Sequence, residues 1–246
     1  MSNLNLEGIV LKKTLWSESS YMLSVITPNG LFELSAKGAK RKRIGGALPL
    51  DIFNKVFFPL KIIPGRQVLS LFECTLIESF QEIRKEPIKE ALALLATEIF
   101  QKIAKYSTPE DAKEHYLGLN TWLSWLNQPR IIPISRAKKS ELSLLKKISE
   151  LCGLELQTKR CISCQKTINS STFVNLAIED GGFVCSECGV GVAAHTRLFK
   201  ALINESFEGD FTLSLHEFLM WHIPELGQLK SRKFLLETFK MFKGEV

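Results

Sequence analysis

The sequence predicts an α+β fold on three observations. Before residue 80, apolar residues alternate with polar ones at the strand period. After Pro87 they recur three or four residues apart, as on one face of a helix. Between residues 158 and 192 two Cys-x-x-Cys pairs interrupt the helical pattern. We therefore expect two domains, residues 1–80 and 81–246, with a small insert at about 158–192 in the second.

The first domain is predicted to be a small β-barrel. Its turn residues divide the apolar stretches into five strands: Glu7–Lys13, Tyr21–Thr27, Leu31–Lys37, Leu50–Phe58 and Gln67–Ile77. Pro28, Asn29 and Gly30 predict a tight hairpin turn between the second strand and the third. Five short strands in about 80 residues are typical of an OB-type barrel, a class that often binds nucleic acid.

Helices are predicted for most of the remaining chain. Pro87 is suited to a helix start and Gly153 to a helix end. The apolar spacing predicts helices over 87–105, 110–126, 140–151, from about 194, over 213–222 and over 229–242.

Four of the six cysteines form the most specific motif. Cys161 and Cys164 are followed, after twenty residues, by Cys185 and Cys188. Two such pairs supply four thiolates to one tetrahedral ion, which predicts a zinc ribbon with one structural Zn²⁺. Because protein fills every ligand position, we expect no metal-bound water and no catalysis there. Disulfides are the other interpretation, and a reducing cell disfavours them.

A basic run follows the third predicted strand. Residues 1–80 carry ten basic and six acidic side chains, and five of the cations lie within seven residues: Lys37, Lys40, Arg41, Lys42 and Arg43. Such a run can follow a phosphate backbone, although it can also be a solvated, solubilising segment. Trp16, expected in the loop between the first two strands, is a candidate platform for base stacking.

Two smaller basic groups are candidate protein-binding surfaces. Arg136, Lys138 and Lys139 precede the third predicted helix, and Arg232 begins the last one. Each group is either a solvated face or a site for an acidic peptide. No nucleotide-binding or acyl-transfer motif is present in the sequence, so we expect a protein that is not an enzyme. The lack of a long apolar run and of a signal sequence predicts a cytoplasmic protein without a membrane span.

Several segments in this order resemble the RecO family of bacterial recombination mediators. They are Gly8–Lys12, Ser17–Ser19, Tyr21–Thr27, Lys37–Lys40, Gly46–Leu48, the four paired cysteines and Leu229–Leu235 with its Ser-Arg pair. The resemblance is weakest across the helical middle of the chain. The order of barrel, basic loop, helices, inserted ribbon and Ser-Arg helix makes it specific.

The resemblance implies a function in DNA repair by recombination. RecO proteins bind single- and double-stranded DNA, anneal complementary strands, engage the acidic tail of single-strand-binding protein and act with RecR to load RecA. The family's DNA-contacting positions carry over to the run Lys37–Arg43, and a nucleoid-associated location in the cytoplasm is implied.

Two other functions remain open on the sequence alone. A barrel with a zinc ribbon can bind RNA, because the electrostatic argument does not distinguish the two nucleic acids. A non-catalytic adaptor that docks proteins through its helices is the second.

Overall fold

The structure, a computed structural model, describes residues 2–37, 50–62, 69–71, 73–204 and 212–242. Two packed units account for these residues. The first comprises residues 1–132 with 229–246, and the second residues 133–228. These packed units do not divide the chain at residue 80. The domain boundary expected there stays a prediction.

The first unit is built on one mixed sheet of six strands, not the five predicted. They are β1 (Ser2–Ser17), β2 (Ser20–Thr27), β3 (Gly30–Ala36), β4 (Lys55–Ile62), β5 (Leu69–Leu71) and β6 (Thr75–Glu78). Their order in the sheet is β5-β3-β2-β1-β4-β6. The predicted strand count was therefore wrong, and the fourth strand begins five residues later than expected.

The extra strand arises because the fifth predicted strand is divided between the two edges of the sheet. Strand β5 pairs with β3 in the parallel direction, with Leu69 opposite Leu34. Strand β6 pairs with β4 in the antiparallel direction, with Thr75 opposite Phe57. In a flat six-stranded sheet the edge strands would lie about 24 Å apart. The chain from Leu71 to Thr75 can span at most about 15 Å. The sheet must therefore curl towards a barrel, which accounts for the barrel-like pattern in the sequence.

Two positions in this sheet require glycine, one for its backbone conformation and one for a close approach of two strands. Gly30 pairs with Thr27 across the predicted hairpin turn, which is confirmed, and has a φ of 121°. At Gly8 a Cβ atom would lie 2.5 Å from Val25 Cγ1 and 2.8 Å from the Ile26 carbonyl oxygen. Strands β1 and β2 can approach this closely only without a side chain at position 8.

The concave face of the sheet holds a continuous apolar core. Its buried members are Leu6, Val10, Leu23, Val25, Leu34, Ala36, Leu50, Val56, Phe58, Leu60 and Leu71. Along β3 and β4 these residues alternate with more exposed ones, as the strand period requires.

Six α-helices are described. They are α1 (Pro87–Ile103), α2 (Pro109–Leu126), α3 (Ile134–Leu151), α4 (Ala193–Asn204), α5 (Thr212–His222) and α6 (Lys230–Phe242). The predicted helices are thus confirmed, although α3 begins six residues early. Its first turns are polar and carry little apolar periodicity. None of the described helices is long and apolar enough to cross a membrane.

Polar contacts join the elements of the first unit. The Tyr116 hydroxyl on α2 donates to the Glu7 carboxylate on β1 at 2.8 Å, and the Lys55 ammonium on β4 pairs with the same carboxylate. At the start of α6, the backbone N–H groups of Lys230 and Ser231 donate to the Glu98 carboxylate of α1. That carboxylate satisfies helix N–H groups that would otherwise lack partners, and it fixes the Ser-Arg pair against α1.

In the second unit α3 packs against α5, and α4 packs against α5 and the ribbon. The ribbon contains a hairpin of β7 (Val174–Ala177) and β8 (Gly182–Cys185), in which Val174 pairs with Cys185.

Candidate metal centre and nucleic-acid interface

Each cysteine pair lies in a tight turn that is closed by backbone hydrogen bonds. In the first turn the Gln165 N–H donates to the Cys161 carbonyl at 2.9 Å, and Gln165 has a positive φ of 60°. In the second the N–H groups of Cys188 and Gly189 both donate to the Cys185 carbonyl at 3.1 Å. The two turns are joined where the Ile162 N–H donates to Phe183 of β8.

These turns bring all four sulfur atoms into one cluster. The Sγ atoms of Cys161, Cys164, Cys185 and Cys188 lie within 4.8 Å of one another, and those of Cys164 and Cys185 are 3.7 Å apart. A tetrahedral ion with metal–sulfur distances near 2.3 Å needs sulfur atoms about 3.8 Å apart. A disulfide needs about 2.05 Å, and none of the six cysteines, which all lie in the described ranges, forms one. The cluster can therefore hold one metal ion, as the sequence predicts.

Burial divides the four ligands into two kinds. Cys161 and Cys185 are buried, whereas Cys164 and Cys188 are exposed. The backbone N–H of Cys185 also donates to Cys161 Sγ at 3.4 Å. Each turn thus contributes one buried cysteine and one exposed cysteine.

The thiols of the cluster differ in acidity. Burial alone would raise the pKa of Cys161, but donors at Cys164, Cys185 and Ser163 outweigh it and lower that pKa to about 6. A hydrogen bond with Cys164 raises the pKa of Cys188 to about 12. Without a metal the cluster therefore favours a thiolate at Cys161 and a protonated thiol at Cys188, and metal binding has to displace the proton of Cys188.

The candidate DNA-binding residues that the structure describes lie at one end of the curved sheet. Trp16 is 69% exposed and lies at the irregularity between Leu15 and Ser17 near the end of β1, so its expected place in a loop was wrong. Ser17 pairs with Ser20, and Tyr21 of β2 pairs with Ala36. The exposed Lys37 therefore lies about 10 Å, two strand spacings, from Ser17. Lys40, Arg41, Lys42 and Arg43 lie outside the described residues.

The candidate protein-binding residues are divided between the two units. Arg136, Lys138 and Lys139 lie within the first turns of α3, not before the helix as expected, and Arg136 and Lys139 are exposed. Arg232 is partly buried on α6 of the first unit.

Sequence reasoning missed two features of these sites, one ion pair and one exposed apolar residue. Lys166 and Glu187 form an exposed ion pair between the two cysteine turns. Their positions beside cysteines were the available signal. Leu15, beside Trp16, is 55% exposed and adds apolar surface at the same sheet end.

Comparison with known proteins shows which proteins this chain is similar to. The family model described as "Recombination protein O N terminal" matches residues 1–80. The proteins named "DNA repair protein RecO" from Symbiobacterium thermophilum and Dehalococcoides mccartyi are each 25% identical to this chain. The first alignment covers 76% of this chain and 72% of the relative, and the second covers 94% and 90%. This chain is therefore a relative of the RecO proteins, through an N-terminal segment that matches the family model and a similarity that extends over most of its length.

Proposed function

We propose that this protein is a DNA-binding recombination mediator in DNA repair. It anneals complementary single strands and, together with RecR, helps to load RecA onto DNA covered by single-strand-binding protein. The observation that carries the proposal is that the exposed Trp16 and the exposed Lys37, where the basic run begins, lie at the same end of the sheet in the RecO-like segment. The relatives named as DNA repair proteins support it.

Electrostatics explains how such a surface promotes annealing. Two DNA strands repel each other through their phosphates, and cations on one surface reduce that repulsion while holding both strands close. Stacking of a base on Trp16 would hold a strand independently of its sequence. No bond is made or broken, so the function needs no catalytic residue.

The four-cysteine cluster serves this function indirectly as a structural zinc site. Zinc would hold the two cysteine turns together, and all four ligand positions would be filled by Cys161, Cys164, Cys185 and Cys188. Its contribution is to the folding of the ribbon.

The proposed partners besides DNA are RecR and the acidic tail of single-strand-binding protein, in the cytoplasm at the nucleoid. Arg136, Lys138 and Lys139 supply positive charge on α3 for such a tail, and Arg232 is the further candidate.

Binding and annealing by purified protein test the proposal. Fluorescence anisotropy with labelled single-stranded DNA, double-stranded DNA and RNA at two salt concentrations would give the affinities. If all five cations contact one single strand, the affinity falls about a hundredfold between 50 and 200 mM salt. RNA binding that clearly exceeds DNA binding would favour the RNA-binding alternative, and no DNA binding at low salt would favour the adaptor.

A charge-matched pair of variants makes the test specific. The first variant replaces the five cations of the basic run with glutamine. The control makes the same change to glutamine at five exposed lysines elsewhere: Lys85, Lys105, Lys113, Lys233 and Lys240. We expect the first variant to lose salt-sensitive binding and annealing and the control to keep most of both. Equal binding and annealing by the first variant and the unaltered protein would overturn the proposal.

Trp16 is tested by a conservative substitution. Trp16→Ala should weaken single-strand binding by about 1–3 kcal/mol, and Trp16→Phe should recover part of it, because both Trp and Phe can stack. Equal binding by all three proteins would exclude Trp16 from the interface.

A further inference from the structure

The cysteine cluster has an accessible side and a covered side. Cys161 and Cys185 are 0% and 6% exposed, whereas Cys164 and Cys188 are both exposed to solvent. A small oxidant in solution therefore meets the sulfur atoms of Cys164 and Cys188 first.

The two accessible cysteines come from different turns. Cys164 closes the first cysteine pair and Cys188 closes the second, and their sulfur atoms lie within 4.8 Å of each other. A movement of less than about 3 Å would bring them to the 2.05 Å of a disulfide. A bond between them would join the two turns that the metal otherwise joins.

We propose that Cys164 and Cys188 form a peroxide-sensitive modification site, at which a reversible disulfide replaces metal ligation. The inference rests on the metal part of the proposed function but not on DNA binding. Because it concerns the ribbon's own chemistry, it can be tested without nucleic acid.

The chemistry requires one equivalent of hydrogen peroxide. One of the two exposed thiolates attacks a peroxide oxygen, forms a sulfenic acid and releases hydroxide. The other thiolate attacks that sulfur, the S–S bond forms and a second hydroxide leaves. The two sulfur atoms lose two electrons, and the peroxide becomes two water molecules after taking up two protons. Only Cys161 and Cys185 then remain as ligands, which is too few to hold the ion tightly.

The rest of the ribbon can keep its connections after this change. The hairpin of β7 and β8 and the hydrogen bond from Ile162 to Phe183 do not involve Cys164 or Cys188. The disulfide would preserve the approach of the two turns, so reduction and added zinc should restore the original site.

Metal analysis of the purified, reduced protein is the first measurement. We expect one zinc per chain. A protein that folds with no bound metal would overturn both the zinc assignment and this inference, while leaving the DNA-binding proposal to its own test.

Peroxide titration of the metal-loaded protein is the second. A chromophoric chelator should report release of one zinc per chain, and peptide mapping should find a disulfide between Cys164 and Cys188. Dithiothreitol with added zinc should reverse both changes. The matched control is the double variant Cys74→Ser with Cys152→Ser, which removes the two cysteines outside the cluster and should behave like the unaltered protein.

Several results would overturn the inference. Zinc could stay bound while Cys74 or Cys152 is oxidised, or the disulfide could form within one turn, such as Cys161 with Cys164. Zinc could also leave with only irreversible sulfinic acids present. Peptide mapping of the unaltered protein distinguishes these outcomes without a variant that fails to fold.

Discussion

The curved sheet and the cysteine ribbon are both β structures, but different interactions hold them together. The sheet has six strands around a continuous apolar core that includes the fully buried Phe58. The ribbon has one two-stranded hairpin, and its two turns meet at four sulfur atoms. A two-stranded hairpin alone is marginal in water.

This difference shows how stabilisation depends on the number of side chains a region can bury. The sheet buries enough apolar surface to offset the ordering of its backbone. The ribbon's two-stranded hairpin buries fewer side chains, such as Val174 and Phe183, so we expect a metal site to supply a larger share of its stability. The two regions should therefore respond oppositely to chelators and to core substitutions.

Metal removal should have the largest effect and should be confined to the ribbon. Structural zinc contributes about 10–16 kcal/mol of apparent binding free energy in isolated fingers. After chelation we expect rapid amide hydrogen exchange in residues 158–192 and unchanged exchange in β1 and β2. Added zinc should restore protection. Unchanged exchange in a protein shown to be free of metal would mean that packing alone holds the ribbon.

A core substitution should have the opposite result, because it weakens the sheet and leaves the metal site of the ribbon intact. Phe58→Ala removes a side chain that is 0% exposed in the sheet and should cost about 3–5 kcal/mol of unfolding free energy, measured by urea titration. Its neighbour Phe57, which is 36% exposed, provides the matched control Phe57→Ala, with a much smaller loss. Zinc content should not change. Equal losses for the two variants would contradict the assignment of the core face.

The contact between the sheet and α2 should give a smaller, pH-dependent effect. The hydrogen bonds from Lys55 and Tyr116 lower the pKa of Glu7 below its ordinary value of 4.5. The folded state therefore gains stability that is present above the unfolded carboxyl pKa and is lost as the pH falls through the lower folded value. Because the Glu7 side chain is 45% exposed, we expect at most about 1 kcal/mol from Glu7→Gln at pH 7.

Urea midpoints at pH 7 and pH 3 check that prediction. The difference between the unaltered protein and Glu7→Gln should shrink at the lower pH. Tyr116→Phe removes one donor and should reduce the pH dependence in part, and the double variant should show that the two effects are coupled. A difference that grows at low pH would give the wrong sign and exclude the mechanism.

The exposed ion pair of the ribbon should have the smallest effect. Lys166 and Glu187 connect the two cysteine turns, but their side chains are 62% and 66% exposed. Solvent screens such pairs, so Lys166→Gln should leave both the melting temperature and the zinc content unchanged. A loss of zinc in this variant would show that the pair, and not the thiolates alone, holds the turns together.

Single residues and short motifs in the sequence predicted where several elements begin or end. Pro87 begins α1, as predicted, and Gly153 follows α3 with a φ of 67°. The start of α3 was missed because its first turns are mostly polar, so no apolar period marks them. The cysteine cluster was predicted because each Cys-x-x-Cys pair forms its own turn.

Contacts between distant residues could not be predicted in the same way. Residues 67–77 have the pattern of a single strand, and only their pairing with β3 and β4 divides them. The exposure of Cys164 and Cys188 against the burial of Cys161 and Cys185 also depends on packing around the hairpin. The spacing of the four cysteines is symmetrical and contains no such difference.

By itself the sequence determined the α+β class, the order of elements, the four metal-ligand candidates and the resemblance to RecO. It could do so because periodicity, turn residues and ligand spacing act over a few neighbouring positions. The tertiary structure decided the sixth strand, the shared sheet end of Trp16 and Lys37, and which sulfur atoms solvent can reach. Each of these depends on the curl or the packing of segments that are far apart in the chain, and no local pattern encodes that.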